Sequence, residues 1–248
     1  VKEGTAKINA GVLFPHDLVR TVLSPYTRLS KAEEDRISAQ WKALPDFVTD
    51  GSFIPVCDVS GSMLGTPMEV SIALGIYLSE RNKSVFKDGF ITFSGRPTLQ
   101  ILSGTLIDRV RQLQRAHWEM NTNLEAVFDL ILSKAVAAKL SNKDLPKTIL
   151  ILSDMQFDSC VKRSNSAIEM IRSKYRDSGY DVPNVVFWNL RDSVGVPVKY
   201  DERGVALVSG FSPSIMRDLL SNDLTPERVV MKALSNSRFD LVDEALNG

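Results

Sequence analysis

From Phe53 onward, short apolar runs alternate with longer amphipathic stretches, and this alternation constrains the fold more than any other feature of the chain. It is the rhythm expected of βα units built around a largely parallel sheet. Phe53–Cys57, Gly89–Phe93, Thr98–Leu102, Thr148–Leu152, Asn184–Asn189 and Val205–Val208 are the predicted strands. The run Thr148-Ile-Leu-Ile-Leu152 is apolar almost throughout, which suits a strand covered by helices on both faces. Leu124, Val127, Phe128, Ile131 and Ala135 recur at i, i+3, i+4, i+7 and i+11, placing one apolar stripe on a helix. Met68–Ser79 is apolar nearly all round and predicts a deeply buried helix. Further helices are expected at Leu106–Arg115, Ser166–Arg176, Ser214–Leu220 and Pro226–Leu234. The fold class is therefore α/β, a mostly parallel sheet with helices on both faces.

Residues 1–50 break the rhythm. Pro15, Pro25 and Pro45 punctuate them, and a charged helical stretch at Ser30–Lys42 carries Trp41. They are expected to form an appendage, or a junction to an upstream region preceding Val1, with residues 51–248 as the main domain. Thirty basic against thirty acidic residues give no net charge, so no whole-molecule field draws the chain toward nucleic acid or anionic lipid. Cys57 and Cys160 are too few for a disulfide framework and are expected to be packed thiols. No window approaches the ~20 consecutive apolar residues of a membrane span. An intracellular protein without a membrane segment is the expectation.

The run Asp58-Val-Ser60-Gly-Ser62-Met63 follows the first strong strand and precedes the buried helix. In an open parallel sheet, ligands bind beyond the carboxyl ends of strands, where the strand order reverses. Asp58 offers a carboxylate and Ser60 and Ser62 offer hydroxyls, while Gly61 lets the backbone turn tightly between them. These are hard oxygen donors, suited to Mg²⁺. The loop carries none of the thiolate or imidazole ligands that favour zinc or copper. The same letters also describe a turn whose side chains bond to nearby amides. Two further elements join them. Thr122 precedes the striped helix, although Thr122 with Glu125 also fits a capping box. Asp154 ends the buried strand at Thr148, where it could equally serve as a turn or cap residue.

Asp58-x-Ser60-x-Ser62, then Thr122, then Asp154 resembles, in set and order, the metal-ion-dependent adhesion site of von Willebrand factor A (vWA) domains, over about Phe53 to Leu220. The resemblance implies a doubly wound, six-stranded sheet of order 3-2-1-4-5-6, with the strands ending in Asp58 and Asp154 adjacent. It implies Mg²⁺ held by Asp58, Ser60, Ser62, Thr122 and Asp154, with Mn²⁺ or Ca²⁺ able to substitute. A carboxylate from a protein partner would complete the shell, across a rim formed by Met63, Asn121, Asn123 and Met155. Asn121-Thr122-Asn123 departs from the glycine before and aspartate after the threonine that many relatives carry. Ile8–His16, Asn184–Asp192 and Val205–Phe211 further resemble segments of a Ro/TROVE-like family that joins an α-helical repeat region to a carboxyl-terminal vWA domain. That likeness implies RNA binding by an upstream helical region. It also suggests that a late helix beginning at Phe211 moves with metal coordination.

Three functions follow from these residues. The leading expectation is a metal-dependent protein-binding module and not an enzyme. The first alternative is a ribonucleoprotein component, with Lys162, Arg163, Arg172, Lys174 and Arg176 offering phosphate contacts, although these also read as a solvated helix face. The second is Mg²⁺-dependent phosphoryl transfer. Against it, the chain has no phosphate-cradling Gly-x-x-x-x-Gly-Lys loop at this position, and His117 beside Trp118 is the sole nearby imidazole. Phe187 and Trp188 read as core, and Cys57 as packing beneath the metal loop.

Overall fold

The computed structural model describes residues 14–24, 28–48, 52–115, 123–154, 164–191 and 204–210. Six strands form one sheet: β1 Phe53–Asp58, β2 Gly89–Phe93, β3 Leu99–Ile101, β4 Thr148–Ser153, β5 Asn184–Asn189 and β6 Val205–Ser209. Their order is β3-β2-β1-β4-β5-β6. Every pairing is parallel except that of the short edge strand β3 with β2. The sheet is therefore doubly wound, and its order reverses between β1 and β4. Pro55, which has no N–H to give, falls before the β1–β2 ladder begins at Val56.

Helices α3 Thr66–Arg81, α4 Leu106–Gln114, α5 Leu124–Ala138 and α6 Ser164–Asp177 flank the sheet, while α1 Pro15–Leu23 packs on α3 and α4 and α2 Lys31–Lys42 packs on α4. The two-residue period of the strands sorts their side chains between two cores. Phe53, Cys57, Phe90, Leu150, Leu152, Val186 and Trp188 face the cluster shared with α1 through α4. Ile54, Val56, Ile91, Phe93, Ile149, Ile151, Val185 and Phe187 face the cluster shared with α5 and α6. α3 is buried from Val70 through Ser79, as its all-round apolar sequence requires. At about 1.5–3 kcal/mol for each large apolar side chain withdrawn from water, this helix anchors one face.

The described part of residues 1–50 shares the first of these cores. Leu18, Val19, Ile37, Trp41 and Leu44 lie in the same cluster as α3 and β1. Tyr77 of α3 donates its hydroxyl to the Pro45 carbonyl at 2.6 Å and accepts from the Phe47 amide at 3.0 Å. Trp41 Nε1 donates to Glu80 at 2.7 Å, and Arg20 pairs with Glu69 at 2.7 Å. α2 begins where the charged stretch was read, capped by Ser30 and Glu33 in a reciprocal box. α1 was not anticipated: Pro15, read as punctuation, occupies the start of a helix, where its missing N–H costs nothing. The helices expected at Ser214–Leu220 and Pro226–Leu234 lie outside the described residues.

Candidate metal centre

β1 and β4 run parallel in a register that pairs Cys57 with Leu152. Asp58 and Ser153 therefore stand level at the carboxyl edge, and Asp154 follows one residue later. Both acids are withdrawn from water, Asp58 at 2% and Asp154 at 1% exposure. A buried carboxylate needs compensating donors or charge. Asp58 Oδ1 accepts from the Ser60 amide at 2.9 Å, and Oδ2 accepts from Ser153 Oγ at 2.5 Å. Burial pushes the Asp58 carboxyl above its usual range; hydrogen bonds from Ser153 and Ser60 oppose that rise, and the charge of Asp154 adds to it. Asp154 Oδ2 lies 3.7 Å from Arg191 Nη1, near enough for attraction but beyond hydrogen-bond length.

The loop after β1 adds the hydroxyls. Gly61–Met63 forms a single 3₁₀ turn in which the Met63 amide donates to the Ser60 carbonyl at 3.0 Å. This turn places Ser60 Oγ and Ser62 Oγ 3.0 Å apart. Gly65, at φ 90°, then redirects the chain into α3, a left-handed conformation that favours glycine. Beneath the loop, Cys57 is wholly buried, and desolvation raises its thiol well above the usual value. It stays protonated and acts as packing, as expected. Ser71 Oγ of α3 donates to the Leu152 carbonyl at 3.4 Å, linking that helix to the strand that carries Asp154.

The rim requires a correction. Met63, expected to face a partner, is 0% exposed and joins the core beneath the loop, whereas its neighbour Leu64 is 71% exposed. An apolar side chain in a polar loop has been used to anchor the loop. Asn123 is exposed, and its side chain accepts from the Ala126 amide at 3.1 Å as the N-cap of α5. The capping box considered for Thr122 and Glu125 is therefore not the cap of this helix, and Glu125 instead meets Lys174 at 2.8 Å. Asn121, Thr122 and Met155 lie outside the described residues, as do His117, Trp118, Cys160, Lys162, Arg163 and Phe211. Among the described residues, no three His, Cys, Asp or Glu side chains converge in a way that could hold a metal. The oxygens placed near one another here are those of two carboxylates, Asp58 and Asp154, and two hydroxyls, Ser60 and Ser62.

Ser153 precedes Asp154 in the sequence but carries no predicted role, and Asn189 and Arg191 carry no local signal of a site. Ser153 is a fully buried polar residue that ends an apolar strand, and that is the signal that could have found it. Of the basic residues described on α6, Arg172 and Lys174 are engaged and Arg176 is exposed. Lys174 meets Glu125 and Asp129, and Arg172 meets Glu169. Phe187 and Trp188 are core residues, as expected.

Strand order, handover of helices between faces and a loop site at the switch point define a doubly wound α/β protein of the vWA/Rossmann type. The chain belongs to the family of the domain of unknown function DUF7788, which matches residues 52–241. It is 34% identical over 243 residues to an uncharacterized protein of Acanthamoeba polyphaga mimivirus, an alignment covering 94% of this chain and 42% of that protein. The chain thus spans less than half the length of this relative. In fold it is similar to the crystal structure of the Deinococcus radiodurans Ro (Rsr) protein, with a TM-score of 0.52 and 16% identity over 84% of this chain and 43% of that one. An aerotolerance-related membrane protein from Bacteroides fragilis gives a TM-score of only 0.34 at 14% identity, covering 76% of this chain and 98% of that one, too low to inform the fold. Among the described residues, no helix is long and apolar enough to cross a membrane.

Proposed function

We propose that the protein is a divalent-metal-dependent binding module that takes Mg²⁺ at Asp58, Ser60, Ser62, Thr122 and Asp154, and through it an acidic group of a protein partner. The observation that carries this reading is the placement of two nearly inaccessible carboxylates, Asp58 and Asp154, at the ends of adjacent parallel strands beside a paired-hydroxyl loop. Two like charges in a poorly hydrated place are stabilised by a cation, and a hard dication is the best match to oxygen donors. The loop's spacing supports the same reading. Oxygens at neighbouring corners of an octahedron with ligand distances of about 2.1 Å stand about 3.0 Å apart. Ser60 Oγ and Ser62 Oγ stand 3.0 Å apart.

When bound, the ion would supply an open coordination position that attracts an anionic oxygen. The chain's own residues do the rest. Ser153 and the Ser60 amide hold the Asp58 carboxylate in one orientation. Leu64, which ends the loop's 3₁₀ turn, is exposed and available for apolar contact. In this reading the protein recognises and does not catalyse, and its setting is intracellular. RNA recognition, implied by the Ro-like resemblance, is assigned to an upstream helical region; of the basic residues described on α6, Lys174 and Arg172 are already engaged in ion pairs and Arg176 alone is left exposed to meet phosphate.

The test is co-purification of partners with the wild-type chain in Mg²⁺ and in EDTA, beside Asp58→Ala and Asp154→Ala. Association that requires Mg²⁺ and vanishes in both folded variants is expected. Equal recovery of the same partners in EDTA would contradict the mechanism.

A further inference from the structure

We propose that Arg191 is a built-in counter-cation of the acidic pair, which competes with the divalent ion for Asp154 and so sets the affinity of the site. This inference rests on the metal-site reading above. The backbone that delivers Arg191 is held in place. β4 and β5 stay paired to Ser153 and Asn189, and the Leu190 amide extends the ladder by donating to the Ser153 carbonyl at 2.9 Å. Asn189, only 3% exposed, then accepts from the Arg191 amide at 2.9 Å through its side-chain oxygen. These bonds station Arg191 one strand away from Asp154.

The two partners are unequally free to move. The Asp154 side chain is 1% exposed, whereas that of Arg191 is 42% exposed. Their 3.7 Å separation is an attraction without a bidentate clasp. A guanidinium already half in water can shift as the ion arrives, but its anchored backbone keeps the charge within a few ångströms, and the buried acid cannot follow it. A dication and the guanidinium repel each other when drawn to the same carboxylate. Even with the full screening of water, that repulsion over a few ångströms corresponds to on the order of tenfold in affinity.

The experiment is calorimetric titration with Mg²⁺ of the whole chain as wild type, Arg191→Gln, Arg191→Lys and Asp58→Ala, with thermal midpoints in EDTA as a second readout. Arg191→Gln is expected to bind Mg²⁺ about tenfold more tightly than wild type. Arg191→Lys, which keeps the charge, stays close to wild type. The gap should narrow at about 1 M salt, where the screening length falls to about 3 Å. In EDTA, Arg191→Gln should melt below wild type because the attraction between Arg191 and Asp154 is lost. Equal or weaker Mg²⁺ binding by Arg191→Gln, with binding by wild type intact, overturns the role of Arg191 and leaves the metal site standing. Failure of both wild type and Arg191→Gln to bind Mg²⁺ overturns both proposals.

Discussion

Replacing Gly75 by alanine tests how tightly the strand that ends in Asp58 is braced from below. Gly75 lies in the buried centre of α3, and a methyl there would overlap Cys57 Sγ and the Phe90 ring, with Phe90 Cδ2 at 3.1 Å. Alanine improves helix propensity by about 0.8–1.0 kcal/mol, so propensity alone predicts stabilisation. Overpacking a well-filled core typically costs about 1–3 kcal/mol. The upper part of that range applies because Cys57 and Phe90 are both fully buried, on neighbouring strands, and cannot swing into solvent. The net expectation is a loss of about 1–2 kcal/mol, or roughly 2–8 °C in the melting midpoint for a domain of this size. Urea denaturation of wild type, Gly75→Ala, Cys57→Ala and the double variant reads both the loss and its origin. Removing the sulfur should relieve part of the overlap, giving a favourable coupling of about 0.5 kcal/mol or more. A Gly75→Ala protein as stable as wild type, or strict additivity with Cys57→Ala, would refute the packing argument.

Other residues give sharper local expectations. Tyr77→Phe removes both hydrogen bonds that tie residues 45–47 to α3, and should cost about 1–3 kcal/mol in chemical denaturation. Asn123→Ala should cost about 1 kcal/mol as a lost helix cap while Mg²⁺ binding persists, whereas Thr122→Ala leaves that cap in place and should lose the metal, as calorimetry would show. Burial raises the Asp58 carboxyl above its ordinary 3.8, so its favourable contribution to the metal-free fold is present below pH 3.8 and is lost as pH rises through the raised value. Asp58→Asn mimics the neutral acid. In EDTA its melting midpoint should therefore gain on wild type as pH climbs above 3.8, and Mg²⁺ should reverse the order at neutral pH because the anionic carboxylate holds a dication far better than a neutral amide. A difference that does not change with pH would contradict this account.

The parts of the fold legible in the sequence are those set by local patterning. β1, β2, β4 and β5 are apolar runs covered on both faces, and the stripe from Leu124 to Ala135 needed only the helical period. The short β3 was read two residues too long, because an edge strand with one partner has little patterning to mark its ends. α1 escaped notice because proline both interrupts and begins helices, and only packing against α3 decides between the two. Thr122 and Asn123 are overlapping cap candidates one residue apart, and no local rule chooses between them. Met63 was misplaced because loop composition says nothing about which way one side chain points. Asp58, Ser60, Ser62 and Asp154 were named from motif and order. Ser153 and Arg191 act only across strands, so their roles required the β1–β4 and β4–β5 registers.

Crystals grown in Mn²⁺ and measured at the manganese absorption edge test the metal site most directly. The expected result is a single anomalous peak within about 2.5 Å of oxygens from Ser60, Ser62 and at least one of Asp58 and Asp154, absent in Asp58→Ala. A well-ordered map at saturating Mn²⁺ with no peak among these side chains would contradict the account.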